Sequence, residues 1–481
     1  MLTLGTVVGA LTGSQSEIDI LNHPISDVVI DSRKVSDKAL FVALSGEHTD
    51  GHQFLQHAFS AGAVAALVDQ DVDVSADFSV LDLRQTATAG LNWQRVQIPF
   101  CLRVEDSLAA LQLLAKRWRE QMDVRVIGVT GSVGKTTTKE LTAAVLSRRF
   151  STLKSAGNLN NEIGLPLTLL QLRRSHERAV LEMGFYEQGD IALLCELAQP
   201  HIGVITNVYP VHLERAGSLE NICAGKGELV EALPSEPNGV AVLNADEPEV
   251  MAMKPRTRAQ VFTYGLNPEA DLRASNIQGM GLSGIRFQVH YLGDILHVRV
   301  PLLGRHSVHT ALRAAAVGLL EKLTWQEILE GLQAQDSQAQ LRLYAVPGPR
   351  KSIILDDTYN ASPESTIAAL NLLGDLDAPR RVAVLGDMLE LGSFEQQGHK
   401  AVGTRVGDVA DLLITIGERA ESIAEGARAS GMQESEISRC RDGGEALDIL
   451  RAEMRVGDVV LVKGSRSMRL DKLVHELEIH P

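Results

Sequence analysis

Short apolar runs recur along this chain, and segments with apolar positions at helical spacing lie between them. In the first block, the runs Ala39–Leu44 and Ala63–Val68 stand among polar loops containing Gly and His. They predict a small α/β unit that ends near Ile98-Pro99. From Ser107 to Arg119 the apolar positions follow a helix, with Asp106 or Ser107 placed as its N-cap. A β run, Val124–Val129, then leads into a glycine-rich turn. Ala179–Leu181, Ile202–Ile205 and Val240–Leu243 read as buried strands with helices between them, the pattern of a parallel sheet. Polar and apolar residues alternate through Gly284–Val300 around Gly293-Asp294, which predicts a hairpin. Helical spacing returns after Pro301–Gly304, with the Ala-rich stretch Ala311–Leu320. A third block starts at about Gln340. Its strands are expected at Ser352–Leu355, Val382–Leu385, Leu412–Ile416 and Val459–Val462. The fold class expected is therefore α/β.

The polar residues of chemical interest fall just after apolar runs. Gly131 follows Val129, Glu182 follows Leu181, and Asn207 and His212 follow Ile205. In the third block, Asp356, Gly386-Asp387 and Lys463 stand in the same relation to Leu355, Leu385 and Val462. Open parallel sheets bind ligands outside the carboxyl ends of their strands. The most informative of these segments is VIGVTGSVGKTTTKEL. It reads as strand, glycine turn and helix, and Gly131 and Gly134 let the backbone turn N–H groups toward phosphate oxygens. Lys135 is placed to reach terminal phosphates, Thr136 offers a hydroxyl to Mg²⁺, and the helix presents its positive end to the anion. The strict G-x-x-x-x-G-K-[ST] pattern fails at its first position, which is Val129. The loop Thr130, Gly131, Ser132, Val133, Gly134, Lys135, Thr136 and Thr137 thus predicts a nucleotide site. Alone it leaves ATPase, GTPase, kinase and ligase open.

Composition narrows the class. The 481 residues correspond to roughly three domains at about 150 residues each. With 44% hydrophobic and 22% charged residues, the chain reads as an ordinary globular protein. A net charge of -15 argues against a nucleic-acid partner, which a basic face would favour. Cys101, Cys195, Cys223 and Cys440 are scattered, with neither zinc spacing nor a disulfide framework. The opening MLTLGTVVGALTGSQ lacks the basic region of a signal peptide, and no apolar run approaches the roughly 18 residues of a membrane span. A cytoplasmic protein without membrane insertion is expected.

Beyond the loop, the motifs DSRKVSDKALFVALSGEHTDGHQF, GNLNNEIGLP, LEMG, NVYPVHLE, AGKGEL, GRHSVHTAL, LDDTYNASPES, VLGDMLELG and LVKGSRSMRL follow one another in order. Together they make the chain resemble the Mur ligases of peptidoglycan synthesis over nearly its whole length. The resemblance implies three domains: a UDP-sugar-binding α/β domain over 1–100, a central P-loop ATPase domain with a parallel sheet over 101–335, and a C-terminal Rossmann-like domain over 336–481. Within the family, DDTYNASP and LGDMLELG point to the member that adds D-alanyl-D-alanine to UDP-MurNAc-tripeptide. The reaction implied runs through an acyl phosphate. A carboxylate is a poor electrophile until phosphorylation gives it a good leaving group, so the protein must mainly position reactants and neutralise charge.

The same resemblance implies residue roles. Glu182 and His212 would hold Mg²⁺ with Thr136 near the same metal, and Lys226 would carry a carbamate whose negative charge serves a second Mg²⁺. Ser32, Arg33, Gly46 and Asp50 would form the UDP-sugar pocket, where the planar fork of Arg suits a diphosphate. Asn158, Asn160 and Asn161 would line the muramoyl-peptide loop. His306, Arg342 and Asp357 would approach ATP. Asp356, Tyr359, Asn360, Lys463 and Ser465 would approach the peptide substrates, with Asp356 and Asp357 positioning groups rather than an acid/base dyad. A monomer is implied. The chain departs from the family pattern at Tyr209, where Gly is common, and at Ser307, Thr310 and Ser362, where Asn is common. Weaker or rearranged recognition of adenine is therefore expected. A sibling amino-acid ligase and a non-catalytic P-loop binding module are the alternatives. The Asn-Pro-Arg string of the diamino-acid-adding sibling is absent from the sequence, and intact Lys135, Glu182, His212 and Lys226 speak against a module without catalysis.

Overall fold

The computed structural model describes residues 2–13, 19–46, 49–72, 78–84, 96–211, 213–334 and 343–479. His212 and Arg342 lie outside the described residues. The chain forms two compact units. The first comprises residues 1–127, 150–184 and 192–200, and the second residues 128–149, 185–191 and 201–481.

In the first unit a five-stranded parallel sheet runs in the order Val28–Val29, Leu40–Val42, Ala65–Val68, Phe100–Arg103, Ser79–Asp82. Both expected apolar runs are its central strands. Their side chains are buried, and Phe41, Ala66, Val68 and Cys101 share a core with Leu55 and Ala58 of the helix Leu55–Ser60. Helix Ser107–Glu120 starts where Asp106 accepts a bond from the Ala109 N–H at 2.8 Å, as its position before the apolar pattern predicts. The same unit pairs Thr152–Lys154 in parallel with Arg178–Glu182, the strand that ends on Glu182.

In the second unit, Ile202–Ile205, Val240–Asn244, Gln260–Gly265 and Leu272–Gly279 pair in parallel in that order. The sheet is not parallel throughout. Leu272–Gly279, Ile285–Tyr291 and Asp294–Val300 continue it as an antiparallel meander. The expected hairpin is present, with its turn one residue earlier, at Leu292-Gly293, both at positive φ (49° and 90°). That geometry is a turn with the twist of its flanking strands. The third sheet runs Tyr344–Pro347, Ile353–Asp357, Val459–Lys463, Arg381–Gly386, Leu412–Ile416, Ile437–Cys440, parallel except for its first pair. Val459–Lys463 is inserted between the strands ending at Asp357 and Gly386, so Lys463 is in register with both Asp357 and Leu385. Helices cover both faces over two apolar cores. Among the described residues no helix is long and apolar enough to cross a membrane.

Candidate active site

The strand Arg125–Thr130 delivers the chain into the glycine turn, and helix Lys135–Leu146 leaves it. Gly131 and Gly134 take φ of 143° and 83°, conformations that L side chains rarely adopt. The first is also a steric requirement, since a Cβ on Gly131 would stand 1.8 Å from Thr206 Oγ1. The neighbouring strand end clamps the loop. Asn207 accepts from Val133 N–H through Oδ1 (2.8 Å) and donates to the Val133 carbonyl through Nδ2 (3.1 Å). Ser132 N–H donates to the Asn207 carbonyl at 3.0 Å, and Tyr209 N–H donates to Ser132 Oγ at 2.8 Å. The Tyr209 hydroxyl in turn donates to Glu247 at 2.6 Å. Tyr209, where the resemblance leads one to expect Gly, is therefore accommodated with its hydroxyl anchored on Glu247. Lys135 Nζ donates to the carbonyls of Gly131 (2.8 Å) and Ser132 (3.3 Å), and Thr136 is buried at the helix start. No side chain caps Gly134, and a helix N-terminus is a favourable place for an anion.

Lys226 sits in the middle of helix Leu219–Glu231 and is 1% exposed. Its ammonium lies 4.7 Å over the Phe185 ring, and no carboxylate pairs with it among the described residues. Burial, followed by repulsion from Lys135, holds its pKa well below the usual lysine value. The glycines beside it are required. A Cβ on Gly225 would meet the Phe185 ring at 2.1 Å, and one on Gly227 the Arg256 guanidinium at 2.0 Å. Arg256 donates to the carbonyls of Cys223 and Ala224, so the AGKG stretch is held on both sides.

Glu182 is 1% exposed at the end of its strand, with Asn160 Nδ2 donating to Oε1 at 2.9 Å and its N–H donating to Ser155 Oγ. The asparagine run has a structural part. Asn161 Oδ1 accepts from Gly164 N–H, Asn160 orients the carboxylate, and Asn158 is exposed. In the first sheet's loops, Ser32 is buried in the turn Ser32–Lys34. Arg33 is exposed and pairs with Asp31, whose carboxyl is held at about 2 by that hydrogen bond. Asp50 accepts from both the N–H and Nδ1 of His52, and Gly46 N–H donates to the Thr49 carbonyl.

In the second unit, Lys463 is buried and donates to Asp357 Oδ2 (2.6 Å) and the Asn360 carbonyl (2.8 Å). Asp356 accepts from the backbone and hydroxyl of Thr358. These contacts shape the DDTYN turn, with Asn360 exposed and Tyr359 under the Arg466 guanidinium at 5.7 Å. Ser465 Oγ accepts from Leu389 N–H, tying KGSR to LGDM. Ser362 caps helix Pro363–Asp375. His306 precedes helix Ser307–Leu320, exposed, with its ring over Gly304. Ser307 Oγ donates to the Leu303 carbonyl and Thr310 Oγ1 accepts from Arg313 Nη2, so both hydroxyls are engaged inside the protein. Reading the sequence did not single out Thr206, Phe185, Arg256 or Arg313. For Arg313 a signal existed, a lone cation in the apolar run ALRAAAV.

A phosphate loop at the end of a parallel sheet, a buried low-pKa lysine near it and a Rossmann-like sheet with an acid–lysine pair at its strand ends define a nucleotide-using α/β enzyme. Three family models match in succession: Mur ligase family, catalytic domain (residues 24–119), Mur ligase middle domain (129–318) and Mur ligase, glutamate ligase domain (342–466). UDP-N-acetylmuramoyl-tripeptide–D-alanyl-D-alanine ligase of Bacillus subtilis (strain 168) is 34% identical over 473 residues, covering 98% of this chain and 96% of the relative. A crystal structure of MurF from Acinetobacter baumannii superposes with a TM-score of 0.82 at 28% identity and covers 98% of each chain. MurF of Thermotoga maritima, solved in complex with ADP, superposes at 0.76 with 28% identity, covering 93% of this chain and 96% of that one. The chain belongs to the Mur ligase family, has its three-domain α/β architecture, and is an ATP-dependent ligase.

Proposed function

We propose that this chain joins the terminal carboxylate of UDP-N-acetylmuramoyl-tripeptide to the amine of D-alanyl-D-alanine, giving UDP-MurNAc-pentapeptide, ADP and phosphate for peptidoglycan synthesis. The observation that carries this reading is full-length similarity to a ligase of that name, in a chain that keeps the phosphate loop and the buried Lys226. In the first step the carboxylate attacks the γ-phosphorus of ATP, and ADP leaves. In the second the neutral amine attacks the acyl carbon and the N–C bond forms; the bond from that carbon to the phosphate oxygen breaks, and phosphate leaves with the oxygen and the proton the amine gives up. The loop's N–H groups, the helix N-terminus and Lys135 neutralise the transferring phosphoryl group.

Mg²⁺ would be held by Thr136, Glu182, His212 and a carbamylated Lys226, and when bound it supplies further charge neutralisation on the phosphates. The donor chemistry fits: a buried carboxylate, a hydroxyl at the helix start, and a buried lysine whose pKa is lowered by burial, which favours the neutral amine that adds to CO₂. Ser32, Arg33, Gly46 and Asp50 bind the UDP-sugar, and Asn158, Asn160 and Asn161 the muramoyl-peptide. Thr130 to Thr137, His306, Arg342 and Asp357 take ATP. Asp356, Tyr359, Asn360, Lys463 and Ser465 face the peptides, and Lys463 also holds Asp357 and Asn360 in place. Domains of 1–100, 101–335 and 336–481, a monomer, and a cytoplasmic site of action complete the reading. Mass spectrometry of a reaction with UDP-MurNAc-tripeptide, ATP and D-alanyl-D-alanine tests it. The product is expected to gain both alanine residues in one addition, and a product extended by a single amino acid would assign the chain to a sibling ligase.

A further inference from the structure

Helix Ser307–Leu320 carries one arginine, Arg313, into the protein interior, where it is 4% exposed. Nη2 donates to Thr310 Oγ1 at 2.8 Å, and Nη1 lies 3.4 Å from the Thr206 carbonyl and 3.5 Å from the Tyr264 hydroxyl. Its Nε has no acceptor among the described residues, and no carboxylate pairs with the guanidinium among them. The nearby acids are otherwise engaged, Glu247 by the Tyr209 hydroxyl and Asp246 by His309 Nε2. A buried cation without a counter-ion is costly, and an anion bound beside it offsets that cost. The anion site is adjacent. The left-handed Gly134 faces Arg313, since a Cβ built there would meet Nη2 at 3.3 Å and no other group within 4 Å. The Thr206 carbonyl that Arg313 contacts belongs to the residue that packs on Gly131. Arg313 therefore borders Gly134 directly and Gly131 through Thr206.

We propose that Arg313 is a positioning residue of the phosphate site. It braces the Gly131–Gly134 turn through Thr206 and Gly134, and supplies a fixed positive charge behind the polyphosphate. The proposal rests on the loop being the ATP site. The charge is anchored by Thr310, whose hydroxyl is thereby committed to Arg313. A nucleotide then owes more of its affinity to its phosphates and less to its base.

Calorimetry of ADP and AMP on the full-length protein, with steady-state kinetics in ATP, tests this. Arg313→Met is expected to weaken ADP by about tenfold, as loss of one charge in a partly screened interior predicts. AMP should lose less, KM for ATP should rise in step with the ADP loss, and kcat should stay within about threefold. Arg313→Lys keeps the charge and should recover most of the loss. Should Arg313→Met fail to fold, Arg313→Gln provides the neutral variant. Unchanged ADP affinity in the neutral variant, an equal loss for ADP and AMP, or an Arg313→Lys protein as weak as the neutral one would each overturn the proposal. A wild-type protein that binds no ADP would instead remove the phosphate-loop reading on which it stands.

Discussion

Lys135→Ala is expected to abolish ATP turnover, with kcat/KM falling on the order of 10³-fold and the fold intact. Two losses combine in this variant. The ammonium that meets the terminal phosphates goes, and so do its bonds to the Gly131 and Ser132 carbonyls, which hold the loop closed over its own backbone. The second loss predicts that Lys135→Arg rescues poorly, because a planar fork cannot sit on two carbonyls four and three residues back as a compact ammonium does. Residual nucleotide binding should persist through the helix N-terminus and the Asn207 clamp, which the substitution does not touch. Near-normal turnover in a melting-controlled assay would contradict the assignment of the loop.

The second large effect is expected at Lys226. Lys226→Ala should lower the rate by about 10²-fold or more while the protein melts no lower than the parent. The melting expectation follows from the environment. An amine buried against Phe185, with no carboxylate partner among the described residues, forfeits only its ring contact on substitution by alanine, and removing a buried cation offsets that loss. The kinetic expectation follows from charge conversion: the neutral amine adds CO₂, loses a proton and becomes an anion suited to a cation-binding site. Short carboxylic acids such as propionate should restore part of the activity of Lys226→Ala. In the parent enzyme supplied with ¹³C-bicarbonate, a carbamate carbon should appear in the NMR spectrum. Its intensity should fall as pH drops through the depressed pKa of Lys226, because protonation removes the nucleophile. A folded variant that no carboxylate rescues, together with a parent lacking the carbamate signal, would contradict the role.

Most of the parallel architecture was legible in the sequence because buried strands announce themselves as apolar runs. Ile202–Ile205 and Leu412–Ile416 have the bounds the pattern predicts. Edge and meander strands were not legible. Leu272–Gly279 reads LRASNIQG, half exposed and interrupted by Asn276 at positive φ, and Ile437–Cys440 mixes polar with apolar positions. Their pairing is decided by neighbours distant in sequence, which local periodicity does not report. For the candidate site, motifs located the groups at strand ends. They did not distinguish a group that meets a ligand from one that holds another group in place. Lys463 illustrates this: it is expected to approach the peptide substrates, and its bonds to Asp357 and Asn360 are not legible in the motif. Arg313 stood out only as a lone cation in an apolar run, and it is the fold that brings it beside Gly134.

Phosphate release from ATP by the purified chain, measured with UDP-MurNAc-tripeptide in the presence and absence of D-alanyl-D-alanine, tests the central claim most directly. Sustained release is expected only when nucleotide-sugar tripeptide and dipeptide are both present, one phosphate per pentapeptide formed, because the acyl phosphate waits for the amine. Steady release without the dipeptide, or none with all three substrates present, would contradict it.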